Sequence, residues 1–166
     1  MSNALIALGS NLGQREDNLR RGLRLLLQCD GIQLRSASAI YETAAVGIAA
    51  GSGDFLNAAA LLETTLTPWQ LADALFRAED ELGRREDRLR DDGARGLDLD
   101  LILFDDVILS GELILPHPRY RERAFVLAPA VEIAPQMIDP VEGKTIAELW
   151  YHLRAEAPLK AGKLAV

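Results

Sequence analysis

Cysteine and histidine are both scarce in this sequence of 166 residues. The one cysteine, Cys29, has no partner for an internal disulfide and excludes a metal site built from thiolates. The two histidines, His117 and His152, are too few for a site made of several imidazoles. Such low cysteine usage is typical of a reducing compartment, and we expect a cytoplasmic protein.

Long hydrophobic runs and positive charge are missing as well. No apolar run approaches the roughly 20 residues that a membrane span requires. The stretch MSNALIALGSNLG lacks the basic residues that precede the apolar part of a signal peptide. The formal net charge of −7 argues against general binding to nucleic acid or to a membrane surface. We expect small-molecule partners and a monomer.

Two common catalytic signatures are also absent. The sequence contains neither G-x-x-x-x-G-K-[ST] nor G-x-S-x-G. The first absence excludes a P-loop nucleotide site, and the second excludes the nucleophile elbow of α/β-hydrolases. Any nucleotide chemistry must therefore rest on other residues.

The order of predicted elements indicates an α+β fold. With 49% apolar and 26% charged residues, the composition is ordinary for one globular domain with its own core. The predicted order is β-α-β-β-α-β, which is typical of a ferredoxin-like antiparallel sheet with both helices on one face. A C-terminal hairpin, turning near Ser110 and Gly111, and two further helices follow. We assign one domain to residues 1–156 and a loose tail to residues 157–166.

Helix starts are marked by capping residues. Leucines at 19, 23, 26 and 27 have helical spacing, and Ser10 or Asn11 is the predicted N-cap of that helix. Thr67, followed by Pro68 and Gln70, predicts a capping box, and Thr145 predicts the cap of the last helix. Residues 32–43 favour a single strand.

Two aspartates interrupt the apolar run RGLDLDLILFDD at residues 95–106. On a strand, Asp98 and Asp100 share one face, while Leu97, Leu99 and Leu101 share the other. Neighbouring carboxylates repel each other, and a bound cation would relieve that repulsion. Mg²⁺ prefers one or two carboxylates together with waters and substrate phosphates. A solvated strand face is the alternative, and the spacing alone favours neither.

Arginines are concentrated just before this strand, at positions 84, 85, 88, 90 and 95. Guanidinium groups bind phosphates with paired hydrogen bonds, so the cluster is a candidate triphosphate site. A solvated, self-paired loop is the alternative for any single arginine, except Arg95, which lies three residues before Asp98. His117, between two prolines and near further arginines, is either a phosphate ligand or a turn residue.

Six segments, taken together and in order, resemble the 6-hydroxymethyl-7,8-dihydropterin pyrophosphokinase family. They are ALGSNLG (7–13), YETAAVG (41–47), DFLNAAALLET (54–64), EDELGR (79–84), RGLDLDLILFDD (95–106) and LPHPRYRERAFVLAP (115–129). The resemblance covers nearly everything up to about residue 150. It implies a ferredoxin-like fold, in agreement with the order of the predicted elements.

The resemblance implies an enzyme of folate biosynthesis that transfers the terminal diphosphate of ATP to the hydroxymethyl group of a reduced pterin and releases AMP. It implies two Mg²⁺ ions held by Asp98 and Asp100. The implied catalytic residues are Arg84, Arg95, Asp98 and Asp100. The implied ATP-binding residues are Glu79, Arg84, Arg95, His117 and Arg123.

The resemblance also implies a pterin pocket. Thr43, Ala44 and Val46 match the segment that lines it, and Asn57 matches the amide that hydrogen-bonds the pterin ring. Phe55 and Phe125 match the aromatic pair that sandwiches the ring. A flat heteroaromatic ring needs stacking faces and a polar edge, so these residue types suit the role. Without the resemblance, the two phenylalanines would be assigned to the core.

The sequence departs from the family pattern in the arginine loop. Asp92 stands where many members have tryptophan, and Glu86 stands where many have a second arginine. These departures favour an alternative, a catalytically weak or inactive paralogue that binds a pterin or nucleotide. We expect residues 44–54 and 84–96 to be the most mobile parts of the chain.

A further alternative follows from the predicted fold alone. An Asp-x-Asp strand in a ferredoxin-like sheet also suits a nucleotidyl transferase of the polymerase-palm or cyclase type. The negative net charge argues against a nucleic-acid template. The pterin-pocket matches argue against a cyclase.

Overall fold

The structure is a computed structural model that describes residues 1–44 and 53–166. In chain order the elements are β1 (Ser2–Ser10), α1 (Arg15–Leu27), β2 (Ile32–Ala37), β3 (Ala39–Thr43), β4 (Phe55–Thr64), α2 (Pro68–Glu81), α3 (Arg84–Asp87), β5 (Asp98–Phe104), β6 (Leu109–Ser110), β7 (Ile114–Leu115), a 3₁₀ turn (Tyr120–Glu122), α4 (Ala124–Ile133), α5 (Ile146–Leu153) and β8 (Leu159–Lys163).

The main sheet is antiparallel, with the strand order β5-β1-β4-β3-β8, and β2 also pairs with β4. Helices α1 and α2 cover one face, where their apolar side chains pack on those of the sheet. Helices α4 and α5 cover the other face. The α+β, ferredoxin-like prediction is confirmed, and the short hairpin β6–β7 turns where the sequence predicted.

Helix starts agree with the sequence in two of three cases. Thr67 and Thr145 both form complete capping boxes, in which the cap side chain and the third helical residue satisfy each other's backbone N–H. The predicted cap of α1 is wrong. Ser10 ends β1, and α1 begins after Gln14 without a side-chain cap.

Two strand predictions are corrected. The stretch 32–43 is divided at Ser38 into β2 and β3. The Ala59 N–H donates to the Ser38 hydroxyl (2.9 Å), whereas in a continuous strand it would donate to a backbone carbonyl. Residues 157–166, expected to be a loose tail, contain β8, which pairs antiparallel with β3. Backbone hydrogen bonds to an open sheet edge order this segment although its sequence has little apolar pattern.

A buried carboxylate ties the turn before α4 to the rest of the second layer. Asp139 is fully buried and accepts hydrogen bonds from the Tyr120 hydroxyl (2.5 Å) and from Arg121 Nε (2.6 Å). Its other oxygen accepts from the backbone N–H groups of Val141 and Glu142. One side chain therefore satisfies four donors.

We expect Asp139→Ala to lower the free energy of unfolding by about 3–5 kcal/mol, because it leaves a buried hydroxyl and a guanidinium without their acceptor. Urea denaturation measures this. Asp73→Ala, which removes an exposed ion pair with Arg77, is the control and should cost less than about 1 kcal/mol. Equal costs for the two variants would contradict the role of Asp139.

Candidate active site

The two aspartates of β5 point to the same face of the sheet, as predicted. Leu97, Leu99 and Leu101 pack into the core beneath α1 and α2. Asp98 and Asp100 point to the opposite face and line a cavity of about 890 Å³.

A glycine lies between the aspartates and the centre of the sheet. Gly9 of β1 is opposite Asp98 on one side and Asn57 of β4 on the other. A Cβ at this position would lie 3.3 Å from Asn57 Oδ1 and 3.9 Å from Asp98 Cβ. The absence of a side chain at Gly9 therefore leaves open the space at the bottom of the cavity between Asn57 and Asp98. Glycine inside a strand is a known signal of such a close approach, and the role of Gly9 was not predicted.

Most of the predicted site residues line this one cavity. They are Thr43, Phe55, Asn57, Arg95, Asp98, Asp100, His117, Arg123 and Phe125. Arg119, Glu122 and the floor residues Ala7, Leu8 and Gly9 also line it and were not predicted. Ala44 is exposed and, with Glu79 and Arg84, is outside this lining. Val46 and most of the predicted mobile segment 44–54 lie outside the described residues.

Two arginines neutralise Asp98. Arg84 lies 3.6 Å and Arg95 3.4 Å from its carboxylate oxygens. Among the described side chains, the Nε atoms of Arg84 and Arg95 are buried and have no hydrogen-bond partner. A buried N–H without an acceptor is costly, so both arginines have a donor available for an anionic ligand.

Polar and aromatic side chains from β3, β4 and α4 line the same cavity as the two aspartates. Asn57 Nδ2 donates to the Thr43 hydroxyl at 2.5 Å, which fixes the orientation of the amide. The guanidinium of Arg95 lies 5.5 Å from the ring centre of Phe55, and that of Arg123 lies 5.6 Å from the ring centre of Phe125. A polar edge and two aromatic faces therefore share one cavity with the carboxylates.

His117 presents an N–H to Asp100. Its backbone N–H donates to the Ile102 carbonyl, which holds the residue beside β5. Nδ1 accepts from the Arg119 N–H (3.2 Å), so neutral imidazole carries its proton on Nε2, 4.0 Å from Asp100. Burial and the positive charge of Arg123 lower the pKa of His117, which favours this neutral form. His117 is thus a hydrogen-bond donor facing the cavity.

The ionised form of the Asp100 carboxyl group is disfavoured by its surroundings. Burial and, to a smaller extent, the negative charge of Asp98 raise its pKa to about 6. The nearby arginines Arg123, Arg95 and Arg84 oppose the shift without cancelling it. A cation bound beside Asp100 would favour its ionised form, so a positively charged ligand at this position would relieve the unfavourable electrostatics of the site.

The donor set fits Mg²⁺. Asp98 and Asp100 face the cavity side by side, whereas the third carboxylate of its lining, Glu122, pairs with Arg119. Among the described residues no group of three or more His, Cys, Asp or Glu side chains forms a metal cluster. An ion held here would take its remaining ligands from water and substrate phosphates, which is the usual coordination of Mg²⁺. Asp98 and Asp100 are the residues that could hold it.

Glu79 occupies a different position from the other predicted residues. It is buried beside β5, where Oε1 accepts from the Leu99 N–H at 2.7 Å. Burial, and less strongly Asp98 and Asp100, raise its pKa to about 7, although the hydrogen bond from Leu99 opposes this. Glu79 therefore holds the strand residue that lies between the two aspartates.

Glu79→Gln should change how stability depends on pH. The folded pKa is above the ordinary value of 4.5, so the folded chain binds a proton that the unfolded chain lacks, and the contribution of Glu79 to stability is lost as pH rises from 4.5 to about 7. Glutamine keeps the acceptor for Leu99 without the charge, and we expect a gain of about 2 kcal/mol at pH 8 and a flatter profile.

Urea denaturation at pH 5 and pH 8, without ATP or Mg²⁺, measures this difference. Glu81→Gln, an exposed change on the same helix, is the control and should keep the wild-type profile. If Glu79→Gln kept the wild-type pH profile, the assigned pKa would be wrong.

The predicted mobile arginine loop is partly regular. Residues Arg84–Asp87 form the short helix α3, and Asp87 accepts a hydrogen bond from the Gly96 N–H (2.8 Å). Asp92 pairs with Arg90 at 2.8 Å, and both are exposed. The expected mobility of residues 84–96 stays a prediction that hydrogen exchange would test.

The sequence matches the family described as 7,8-dihydro-6-hydroxymethylpterin-pyrophosphokinase (HPPK) over residues 5–135. A Bacillus subtilis relative named 2-amino-4-hydroxy-6-hydroxymethyldihydropteridine pyrophosphokinase is 46% identical over 136 residues, which cover 81% of this chain and 79% of the relative. A Haemophilus influenzae relative of the same name is 39% identical over 150 residues, which cover 90% of this chain and 91% of the relative.

A solved structure agrees at the level of the fold. The Plasmodium falciparum HPPK-DHPS wild type with pteroate matches with a TM-score of 0.69 at 12% identity. The match covers 91% of this chain and 44% of that chain, so this chain spans less than half the length of its structural neighbour. From the family match and the identities above, the chain belongs to the 7,8-dihydro-6-hydroxymethylpterin-pyrophosphokinase family.

Proposed function

We propose that this chain transfers the terminal diphosphate of ATP to the hydroxymethyl group of 6-hydroxymethyl-7,8-dihydropterin and releases AMP, as a step of folate biosynthesis. The observation that carries the proposal is one cavity of about 890 Å³ that is lined by the aspartate pair, by Arg95 and Arg123, and by two phenylalanines and the amide of Asn57. That volume is within the range of small-molecule sites, which extends to roughly 1,000 Å³.

The reaction is a displacement at the β-phosphorus of ATP. The hydroxymethyl oxygen forms a bond to the β-phosphorus, the bond from that phosphorus to the oxygen shared with the α-phosphate breaks, and AMP leaves with the electron pair. The hydroxyl proton is released. Little covalent chemistry is left for the protein, so catalysis rests on positioning the two substrates and on stabilising phosphate charge.

We assign the phosphates to the arginine side of the cavity. Arg95 lines the cavity and has a buried N–H without an acceptor, and neutral His117 offers its Nε2–H. Arg84 is outside the lining and pairs with Asp98, and its assignment to the phosphates rests on family resemblance. Arg123 lies at the N-terminus of α4, where the helix dipole adds positive potential. Asp98 and Asp100 would hold Mg²⁺, two ions by family resemblance, and bound Mg²⁺ would neutralise charge on the transferred group.

We assign the pterin to the other side of the cavity. The amide of Asn57, oriented by Thr43, suits the polar edge of the ring, and Phe55 and Phe125 suit its faces. The proposed roles of Ala44 and Val46 rest on family resemblance alone. Glu79 supports the site through β5, since it bonds Leu99 and is outside the cavity lining.

The inactive-paralogue alternative has little support from these contacts. Glu86 and Asp92, the two departures that favour it, are exposed and do not line the cavity. The aspartates, the buried arginines and the amide pocket are all present.

Among the described residues no helix is long and apolar enough to cross a membrane. A cytoplasmic location remains a proposal from the low cysteine usage, and a monomeric state remains a proposal from the lack of an extra apolar stripe in the sequence.

An end-point assay tests the proposal. The chain is incubated with ATP, Mg²⁺ and 6-hydroxymethyl-7,8-dihydropterin, and AMP is separated from ADP by chromatography. We expect AMP only when pterin and Mg²⁺ are both present. ADP would indicate ordinary phosphoryl transfer and a wrong reaction class. Pterin binding without any nucleotide product would favour the paralogue.

A further inference from the structure

Tyr41 of β3 and Glu132 of α4 join two elements that both carry proposed pterin residues. The Tyr41 hydroxyl donates to Glu132 Oε2 at 2.5 Å, and the Ala39 backbone N–H donates to Glu132 Oε1 at 3.1 Å. Tyr41 is buried. Burial and, to a smaller extent, the contact with Glu132 raise the pKa of Tyr41 to about 12, so its hydroxyl keeps its proton. One carboxyl group therefore ties the helix to the strand at two points.

Both ends of this contact are close, within their own elements, to the proposed pterin pocket. On β3, Tyr41 lies opposite Asn57 of β4 and two residues before Thr43. Strand alternation places these three side chains on one face of the sheet. On α4, Phe125 lies seven residues, or about two turns, before Glu132, so the two side chains leave the same side of the helix. The contact thus joins the strand that supports the Asn57 amide to the helix that carries one aromatic face.

The remaining packing of α4 is apolar on every side. Its sequence, AFVLAPAVEI, contains one ionisable residue, Glu132, and the helix begins without a side-chain cap. Residues 126–130 are all buried, and five consecutive residues cover the whole circumference of a helix. Burial of apolar surface has no direction, so it holds α4 against the sheet without selecting one rotation about the helix axis. The directional hydrogen bonds from Tyr41 and Ala39 supply that selection.

We propose that Tyr41 and Glu132 are positioning residues for the pterin ring, which fix α4 and thereby the place of Phe125 relative to Phe55 and Asn57. The contact sets the width of the pocket for a flat ring, although neither residue lines the cavity. This inference rests on the proposed function, because it takes the space between Phe55 and Phe125 as the pterin site.

The loss of this contact should affect the pterin and spare the nucleotide. Arg123, a proposed phosphate ligand, comes directly before α4. The turn that leads to it is held separately, because Asp139 accepts hydrogen bonds from Tyr120 and Arg121. These hydrogen bonds do not involve Glu132, so Arg123 should keep its place when α4 is free to rotate.

Three variants separate the hydrogen bonds from general stability. Tyr41→Phe removes the hydroxyl and keeps the ring. Glu132→Gln keeps both contacts, because its oxygen accepts from the Ala39 N–H and its amide donates to the Tyr41 oxygen. Thr64→Val is the control. Thr64 is buried at the opposite end of β4, where its hydroxyl donates to the Gly31 carbonyl at 2.7 Å, so this variant also loses a buried hydroxyl of the sheet.

Titration calorimetry of the full chain measures two affinities. One titration uses α,β-methylene-ATP with Mg²⁺, and the other uses 6-hydroxymethyl-7,8-dihydropterin with this analogue and Mg²⁺ at saturation. The analogue lacks the oxygen bridge that breaks in the reaction, so binding is measured without turnover. We expect Tyr41→Phe to weaken pterin binding about tenfold, the value of one hydrogen bond, and to leave nucleotide binding within about twofold. Glu132→Gln and Thr64→Val should bind both ligands as the wild type does.

Three results would overturn the positioning role. The first is wild-type pterin affinity in Tyr41→Phe. The second is an equal loss of pterin and nucleotide affinity in that variant, or an equal loss of pterin affinity in Thr64→Val, because general destabilisation would then explain the effect. The third is a loss in Glu132→Gln as large as in Tyr41→Phe, because the charge of Glu132 would then matter and its hydrogen bonds would not.

Hydrogen exchange over residues 124–133 tests the contact without any substrate. Tyr41→Phe should speed exchange in α4, whereas Glu132→Gln and Thr64→Val should keep the wild-type rates there. Unchanged exchange in Tyr41→Phe would refute the role of the contact. If the wild type binds neither substrate, the proposed function fails, and the exchange rates still decide whether the contact fixes α4. Should Tyr41→Phe not fold, Glu132→Ala, a change at an exposed position, takes its place with the same expectations.

Discussion

Replacing Asp100 by asparagine should abolish Mg²⁺-dependent AMP formation while the fold becomes more stable. We expect a loss in kcat of at least about a thousandfold, since a metal ion supplies several kcal/mol of charge stabilisation and each 1.4 kcal/mol is tenfold in rate. The substitution also removes a carboxyl group whose pKa is raised to about 6 by burial and by Asp98. At pH 8 without Mg²⁺ the variant should therefore unfold at a higher temperature than the wild type.

The two measurements are AMP formation at saturating substrates and thermal unfolding without ligands. Asp98→Asn should lose activity similarly but lack the gain in stability, because it leaves Arg84 and Arg95 without their carboxylate. Asp106→Asn, an exposed change just beyond the same strand, is the control and should leave both quantities unchanged. Activity of Asp100→Asn within tenfold of the wild type would refute the assignment of the metal.

The pH profile of the wild type tests the same carboxylate. Asp100 must be ionised to hold a cation, so activity at low Mg²⁺ should fall as pH decreases through about 6. Higher Mg²⁺ should shift this fall to lower pH, because bound metal competes with the proton. An acid limb that ignores the Mg²⁺ concentration would contradict this assignment.

Asn57→Ala should weaken pterin binding by about ten- to a hundredfold and leave ATP binding within about twofold. The reason is that a lost amide leaves polar atoms of the ring without partners, which costs roughly 1–3 kcal/mol. Asn57 is buried in the central strand β4, and its Nδ2 is held by the hydroxyl of Thr43 on the neighbouring strand β3. Separate titrations with pterin and with α,β-methylene-ATP measure the two affinities.

Thr43 provides matched variants for this prediction. Thr43→Ser keeps the hydroxyl that accepts from Asn57 and should bind pterin almost as the wild type does, while Thr43→Val keeps the shape and loses the hydroxyl. Thr43→Val should therefore weaken pterin binding in the same direction as Asn57→Ala. Equal losses for pterin and nucleotide in Asn57→Ala would mean that Asn57 supports the whole cavity rather than the pterin edge.

Local signals in the sequence accounted for most elements. Alternation placed Asp98 and Asp100 on one face because side chains of a strand alternate whatever surrounds them. Thr67 and Thr145 cap their helices through residues only three positions away. Both features depend on near neighbours in the chain, and such features can be recognised without the fold.

The features that the sequence did not predict depend on distant partners. Ser38 interrupts a strand because its hydroxyl accepts a hydrogen bond from the Ala59 N–H. The side chain of Asn11 forms hydrogen bonds with the backbone of Gly53 and Arg95 and does not cap the helix that follows it. The pairing of β8 with β3 joins residues more than a hundred positions apart, and the segment itself has only a weak strand pattern. A pattern among neighbouring residues does not indicate whether a hydrogen-bond donor will meet an acceptor from a distant part of the sequence.

The sequence by itself determined the fold class, the face of the aspartates, and, through resemblance, the family and the residue types of the site. Only the tertiary structure decided that aspartates, arginines, amide and aromatic rings share one cavity, and that Glu79 lies beside β5 instead of within that cavity. The physical reason is that side-chain direction follows from local backbone geometry, whereas cavity shape, burial and the resulting pKa shifts follow from packing between distant segments.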